Sequence, residues 1–335
     1  MFSNKKAIQV LLPVYNCETY IRECILSIIN QSFINFELII LDDCSTDNTF
    51  EIIKNCADVD ERIKIIRNPS NLGIIVSRNK LIQLATADLV AFMDGDDICH
   101  PDRLKLQYNF LQANLNIAAV GSSYTILGES SLEYKLPTIH QDIMAHMFID
   151  NAMCNPSVMV RLNELRQHSI ECDINYRGAA DYDMWLRLGA VCQLANLSQT
   201  LLYYRRHCEQ ESTSNRSRQQ LAHLRVLEKL YVENSMPYDN ELLAYLIWPG
   251  CQNLTYRTLI NLGKYVNSLS ESQNECTKFN SDLFKHLADI RYRGVCRRHK
   301  IKGLISYIAT RGISGLLAGK FFGLVFAKDC IFSRG

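Results

Sequence analysis

The sequence predicts an α/β protein: a mainly parallel, Rossmann-like sheet flanked by helices, followed by a mostly helical C-terminal region. Three observations predict it. Up to about residue 130, short apolar runs alternate with helix-periodic segments, the β-α-β-α order that builds a parallel sheet covered on both faces. Polar clusters follow four successive strand segments. From Asn215 onward the spacing turns helical, with Leu221, Leu224, Leu227, Leu230 and Tyr231 on one face. At 335 residues and 47% hydrophobic content, the chain can bury a full core.

Ala7 to Val14 reads as the first strand, and Ile21, Cys24, Ile25, Ile28 and Ile29 mark a helix face. Phe36 to Leu41 is a second strand. Ser45 or Thr46 would cap the helix that follows, with Phe50, Ile53 and Ala57 inward. Arg62 to Arg67 is a third strand, and Ile74 to Leu84 a helix. The run Leu89 to Met93 is a buried strand, and Pro101 suits the first turn of a helix through Leu111. Ala118 to Leu127 is one more strand; Leu136 to Arg206 is mixed.

The polar clusters are Tyr15-Asn16, Asp42-Asp43, Asn68 and Asp94-Gly95-Asp96-Asp97. In an open α/β sheet, ligands bind outside the carboxyl ends of the strands, so four loops converge on one edge. The last cluster is the most informative. Three carboxylates around one glycine repel one another and are costly to desolvate, and a divalent cation removes that cost. Hard oxygen ligands suit Mg²⁺ or Mn²⁺ better than zinc. Taken alone, the cluster would read as a solvated Asp-Gly turn. No G-x-G-x-x-G follows the first strand, and neither a P-loop nor a G-x-S-x-G elbow occurs. Acidic residues, a candidate cation and Arg78 fit a nucleoside diphosphate held through a metal.

Charge is uneven. From Arg291 to Gly335 there are ten Lys/Arg and one acid, Asp329, against an acidic body. Such a tail points to an anionic partner. The 13 cysteines include no C-x-x-C pair, and many, such as Cys24, Cys56 and Cys192, lie in apolar patterns, as expected of core residues in a reducing compartment. Lys5-Lys6 precedes an apolar stretch that Gln9, Pro13 and Asn16 interrupt, so no signal peptide is predicted. No uncharged run approaches the ~20 residues that span a bilayer. A cytoplasmic location is expected.

The motifs occur in a telling order. Pro13-Val14-Tyr15-Asn16, Asp42-Asp43-Cys44-Ser45-Thr46-Asp47, Asn71-Leu72-Gly73, Ser77-Arg78-Asn79 and Asp94-Gly95-Asp96-Asp97 come first. Asn155-Pro156-Ser157-Val158-Met159, Asp181-Tyr182-Asp183-Met184-Trp185-Leu186-Arg187 and Tyr204-Arg205-Arg206-His207 follow. The series resembles that of the family 2 inverting glycosyltransferases of GT-A fold, over roughly residues 7 to 215. The resemblance implies a nucleotide-sugar-binding and catalytic domain at 1–215 and a helical region at 216–335 ending in a basic amphipathic tail from about 291. It implies that Pro13, Tyr15, Asn16 and Asp42 or Asp43 line the nucleotide pocket, with Arg78 near the base or diphosphate. Asp94 would reach the ribose side, and Asp96 would hold Mn²⁺ or Mg²⁺ together with Asp94. Asp181 would be the catalytic base, with Asp183 the runner-up. His207 would lie in a segment closing over the diphosphate. Ala180 stands where the family has a Glu. The implied reaction moves one sugar from a nucleotide sugar, UDP-linked by expectation, to a hydroxyl of a glycan or lipid-linked glycan in surface polysaccharide (O-antigen, capsule or lipopolysaccharide) synthesis. Gln-x-x-Arg-Trp, the mark of processive members, is absent.

Competing readings are a sugar-nucleotide nucleotidyltransferase, which needs a Gly-rich loop after the first strand, and a non-catalytic nucleotide-sugar or membrane-binding module. For the tail, Leu304, Ile308, Ile313, Leu316, Leu317, Phe321, Leu324 and Val325 would form one helical face. That face would lie on the anionic inner surface of the cell membrane, as a peripheral attachment, or pack on the domain or a homodimer partner. Nucleic acid is not expected, because the aromatics lack interleaved basic residues.

Overall fold

A computed structural model describes residues 6–128, 133–207, 210, 215–248, 253–272, 279–317, 326 and 328–330. The chain divides into two units, residues 1–143 with 151–223, and residues 144–150 with 224–335.

The first unit is built on strands β1 (Ile8–Val14), β2 (Phe36–Asp42), β3 (Ile63–Arg67) and β4 (Leu89–Phe92), in the order β3-β2-β1-β4 and all parallel. Every residue of β1 is buried, because helices cover both faces. Helix α1 (Ile21–Ile29) turns Ile21, Cys24, Ile25 and Ile28 into this core. Pro13 stands inside this central strand, where its missing N–H would break a ladder. It does not, since Leu11 bonds towards β4 and Val14 towards β2, so the Pro13 nitrogen faces β4, whose pairing with β1 ends at Leu11↔Phe92. Helix α2 (Thr49–Ala57) buries Thr49, Ile53 and Cys56, with Phe50 and Ala57 only half-buried. Ser45 and Thr46 do not cap it. The Ser45 hydroxyl accepts from Asn16 N at 3.0 Å, and Asp47 Oδ1 accepts from Thr49 N at 2.9 Å instead. Helix α3 spans Ile74–Leu84, as the spacing predicts.

Beyond β4 the sheet changes direction. After β5 (Ile98–Cys99), helix α4 (Arg103–Ala113), β6 (Ile117–Ile126), β7 (Glu133–Tyr134) and helix α5 (His140–Met147), strand β8 (Met159–Arg161) enters between β4 and β6, antiparallel to both. Helices α6 (Leu162–Gln167) and α7 (Ala180–Val191) precede β9 (Gln193–Tyr204), which lies parallel to β6. Pro101 sits in a turn ahead of α4 rather than in its first turn. Arg103, fully buried, donates to the Phe92 carbonyl at 2.8 Å and to Gln107 Oε1 at 3.1 Å. Gln107 Nε2 in turn donates to the carbonyls of Val120 and Ser157. This polar brace ties the end of β4 to β6 and the Asn155–Ser157 turn. It satisfies carbonyls that would otherwise be orphaned in the core.

In the second unit, helices α8 (Arg216–Glu233, which begins in the first unit), α9 (Asn240–Ile247), α10 (Tyr256–Glu271), α11 (Ser281–Arg298) and α12 (Lys300–Leu317) pack together. Asp239, Thr255 and Asn280 cap α9, α10 and α11 through their side chains. Leu224, Leu227 and Tyr231 are buried, but Leu221 points to solvent. The tail does not carry one unbroken helical face: Gly312, at φ 70°, interrupts α12. Leu304 and Ile308 are half-buried, while Ser306 and Tyr307 face inward. Tyr307 stacks on Tyr292 at 5.6 Å, and Arg311 pairs with Asp289 at 3.2 Å. Phe321, Leu324 and Val325 lie outside the described residues, as do the side chains of Ile313, Leu316 and Leu317. Among the described residues no helix is long and apolar enough to cross a membrane, and all ten described cysteines are free.

Candidate active site at the carboxyl edge of the sheet

The parallel strands β1 to β4 deliver their loops to one edge. At the end of β2, Asp42 is fully buried and pairs with Arg67 Nε at 2.9 Å. Asp43 accepts from Asn68 Nδ2 (2.7 Å), Leu72 N (3.0 Å) and Gly73 N (2.7 Å). It thereby shapes the turn that opens α3, where Gly73 adopts φ 88°, a conformation that favours glycine. Asn16, at φ 48°, accepts from Thr46 N at 2.9 Å and locks the first loop to the second. Tyr15 is 44% exposed beside it and leaves a ring face open to a ligand. Pro13 is buried in β1 and acts from beneath the loop, not at its surface.

The acidic loop after β4 is held by three basic groups from two segments, α3 and the chain just after β9. Arg78, on α3 and 8% exposed, donates to Asp94 Oδ1 at 2.9 Å. His207 Nε2 lies 3.0 Å from Asp96 Oδ2. Arg205 N donates to Asp97 Oδ1 at 2.8 Å, and Arg205 Nε to the Asp96 carbonyl at 2.8 Å. Arg205 is itself anchored by Glu23 at 2.6 Å and by the Tyr20 ring, on which His207 also packs. Asp97 is therefore a clasp on the Arg205 segment. Burial, with Asp94 adding to it, pushes the Asp96 carboxyl above its ordinary value, and His207 opposes the shift. Burial, Asp96 and Asp94 push Asp97 well above its ordinary value. Burial, helped by the neighbouring acids, drives the Cys17 thiol up to about 12, so it stays protonated and is no nucleophile.

Asp181 lies in the first turn of α7, where Ala179 rather than Asp181 is the N-cap. Its Oδ2 accepts from Asn151 Nδ2 at 3.2 Å. Burial raises its carboxyl, and the Arg78 charge counters that rise. Arg78 thus links the acidic loop to the Asp181 carboxylate across the edge. Asp183, next along the helix, is 3% exposed and pairs with Arg187 Nε at 2.7 Å. The fold brings together Asp94, Asp96, Arg78, His207 and Asp181, and turns Asp183 into an ion pair. Sequence reasoning marked Asn68 and Arg205 by position without giving either a role, and missed Arg67 and Asn151. Of these, Arg205 had a signal: it stands two residues before His207 in a strongly basic strand end.

The residues suit a divalent cation. Asp96 and His207 offer an oxygen and a nitrogen side by side, and Asp94 is near enough to add to the rise of the Asp96 carboxyl. Two buried atoms in this cluster, Asp97 Oδ2 and His207 Nδ1, lack a hydrogen-bond partner. Three crowded carboxylates with two raised pKa values form a site whose charge a cation would relieve.

An acidic loop and a buried arginine lie at the carboxyl edge of a doubly covered sheet, where open α/β enzymes place their ligands. Residues 9–165 match the family model described as glycosyl transferase family 2. An uncharacterized glycosyltransferase of Haemophilus influenzae is 35% identical over 221 residues, 63% of this chain and 68% of the relative. The putative glycosyltransferase EpsE of Bacillus subtilis is 35% identical over 54% of this chain and 66% of its own length. Among solved structures, Staphylococcus aureus TarS residues 1–349 in complex with UDP-GlcNAc superposes with a TM-score of 0.59 at 18% identity, covering 87% of this chain and 90% of that one. The mannosyltransferase PcManGT of Pyrobaculum calidifontis, in complex with GDP-Man and Mn²⁺, gives 0.56 at 13% identity, covering 94% and 88%. The chain belongs to glycosyltransferase family 2 and has the GT-A fold.

Proposed function

We propose that this enzyme is a metal-dependent, inverting glycosyltransferase that moves one sugar from a nucleotide sugar, UDP-linked, to a hydroxyl of a surface-polysaccharide acceptor, either a glycan or a lipid-linked glycan. The observation that carries the reading is Arg78, which bonds Asp94 on the acidic loop and opposes the burial-driven rise of the Asp181 carboxyl. It sets a donor-holding loop and a basic carboxylate against each other.

In this reading the loops after β1 and β2 seat the nucleotide. Tyr15 offers a stacking face for the base. Asp43 and Asp42 also brace these loops, Asp43 through Gly73, Leu72 and Asn68 and Asp42 through Ser45 N and Arg67. Asp96 holds a divalent cation, with Asp94 and His207 beside it. The cation, when bound, offsets charge that builds on the departing nucleoside diphosphate. Mn²⁺ in PcManGT and UDP-GlcNAc in TarS support the choice of cation and donor class. Asp181 takes the proton from the acceptor hydroxyl as its oxygen attacks the anomeric carbon. Attack opposite the leaving group inverts the configuration. Ala180, where the family has Glu, leaves this base in place. Asp183 is spent on Arg187 and keeps α7 in register.

The nucleotidyltransferase alternative needs a Gly-rich triphosphate loop after β1, and Pro13-Val14-Tyr15-Asn16 is not one. For the tail, Ser306, Tyr307 and Arg311 pack on helices of their own unit, which favours docking over membrane contact for residues 300–311. The test is nucleotide release from UDP-glucose, UDP-galactose and UDP-N-acetylhexosamine with a glycan acceptor mixture, in Mn²⁺ or EDTA. Metal-dependent UDP release supports the reading. Release that persists undiminished in EDTA overturns the metal.

A further inference from the structure

We propose a second metal site, for a Zn²⁺-class ion, formed by Glu164, His168 and Cys192 on the edge of the sheet opposite the acidic loop. Strand β6 runs parallel to β4, since β8 is antiparallel to both, and β9 is parallel to β6. The starts of β6 and β9 therefore lie at the amino edge, away from Asp94 and Asp96. Helix α6 begins at that edge, with Leu162 N bonded to the Asp88 carbonyl just before β4. Glu164 and His168 are four residues apart, and His168 N donates to the Glu164 carbonyl at 3.3 Å. Helical spacing thus puts both side chains on one face. Cys192 ends α7, immediately before β9.

The three donor atoms lie within 4.8 Å of one another. Cys192 Sγ is 3.5 Å from Glu164 Oε2, and His168 Nε2 is 3.8 Å from the same oxygen. A tetrahedral zinc with bonds of about 2.3 Å to sulfur and about 2.1 Å to nitrogen and oxygen has donor-to-donor edges of about 3.4–3.6 Å. The two edges to Glu164 already match this to within a few tenths of an ångström, and the Cys192–His168 edge, within 4.8 Å, closes by a turn of the exposed His168 ring. A thiolate, an imidazole and a carboxylate together select zinc over the hard cations suited to the acidic loop. The donors border a cleft of about 410 Å³ that Leu115, His140 and Gln193 also line. The cleft leaves room for water as the fourth ligand. His140 is not a ligand: its Nδ1 accepts from Leu194 N at 3.2 Å, which places its proton on Nε2. Cysteine ligates zinc as the thiolate, so binding displaces one proton from Cys192.

The test uses the full chain, stripped with chelator and titrated with Co²⁺ and then Zn²⁺. One Co²⁺ per chain should produce a thiolate-to-cobalt charge-transfer band and release a proton, and Zn²⁺ should displace it. Cys192→Ser should abolish the band, and Glu164→Gln or His168→Gln should weaken binding by roughly 100-fold. Asp96→Ala should keep the band, which separates this site from the acidic loop and its Cys17. A band that survives Cys192→Ser, vanishes in Asp96→Ala or never forms overturns the proposal.

Discussion

Gly95 sits buried between the two acids assigned to donor binding, and its replacement by alanine tests how tightly the loop is set. An added Cβ would stand 2.9 Å from Val14 Cγ1 and 3.2 Å from Cys17 Sγ. Carbon atoms in contact normally keep about 3.5–4.0 Å, so the first contact is too short by at least about half an ångström. Val14 cannot yield. It is 3% exposed, β-branched, and paired with Asp42 in β2. Cys17 can turn its Sγ aside, but its backbone is held, with its N–H donating to Thr49 Oγ1 at 2.6 Å. The loop must therefore move. Overpacking of this kind costs about 1–3 kcal/mol, and with one stiff and one softer contact about 2 kcal/mol is expected here. For a unit of this size the melting temperature should fall by roughly 4–8 °C. The displacement falls on Asp94 and Asp96, so kcat/KM should drop by about tenfold to a hundredfold. Thermal melts and UDP release measure both. Gly294→Ala is the control. No atom lies within 4 Å of its Cβ, and it is inside α11, so it should stabilise by up to about 1 kcal/mol. A Gly95→Ala protein with unchanged melting and turnover would refute the reasoning.

Asp181→Asn should leave UDP binding intact and cut kcat by roughly 10²–10⁴-fold, read by calorimetry and turnover together. Burial raises the Asp181 carboxyl, and a base must be ionised, so activity should fall on the acid side at a pH above the ordinary carboxylate range. Arg78→Met removes the group that opposes this rise. Its pH–rate profile should move its acid limb to higher pH, and a fixed limb would show that Arg78 does not act on the base. Arg103→Met orphans the Phe92 carbonyl and should destabilise the protein by about 1–3 kcal/mol in chemical denaturation.

The parallel half of the fold was legible because a doubly covered sheet writes itself as continuous apolar runs, such as Ile8–Val14 and Leu89–Phe92. Helix α3 was legible to the residue, since Gly73 opens it and Thr86 follows its end. The start of α2 was misread because Ser45 is a good capping residue by type, yet its hydroxyl is already bonded to Asn16 N. Local propensity cannot see a partner 29 positions away. The break at Gly312 escaped for a related reason: apolar spacing continues through a glycine whose φ is positive. In the site, the acids and Arg78 stood out by their crowding after a strand. The grip of Arg205 on Asp97 and Asp96 joins residues more than a hundred positions apart, and no spacing rule encodes it. Pro13 and Asp43 match a motif by position, but spacing could not show that Pro13 is buried within β1 or that Asp43 accepts from the N–H groups of Leu72 and Gly73.

Calorimetric titration of UDP into the purified chain, with Mn²⁺ and then with EDTA, for the wild type and Asp96→Ala, tests the central claim most directly. The account predicts binding to the wild type that Mn²⁺ strengthens and EDTA removes, and no metal-dependent gain in Asp96→Ala. Equal binding by both proteins, with or without the metal, would contradict it.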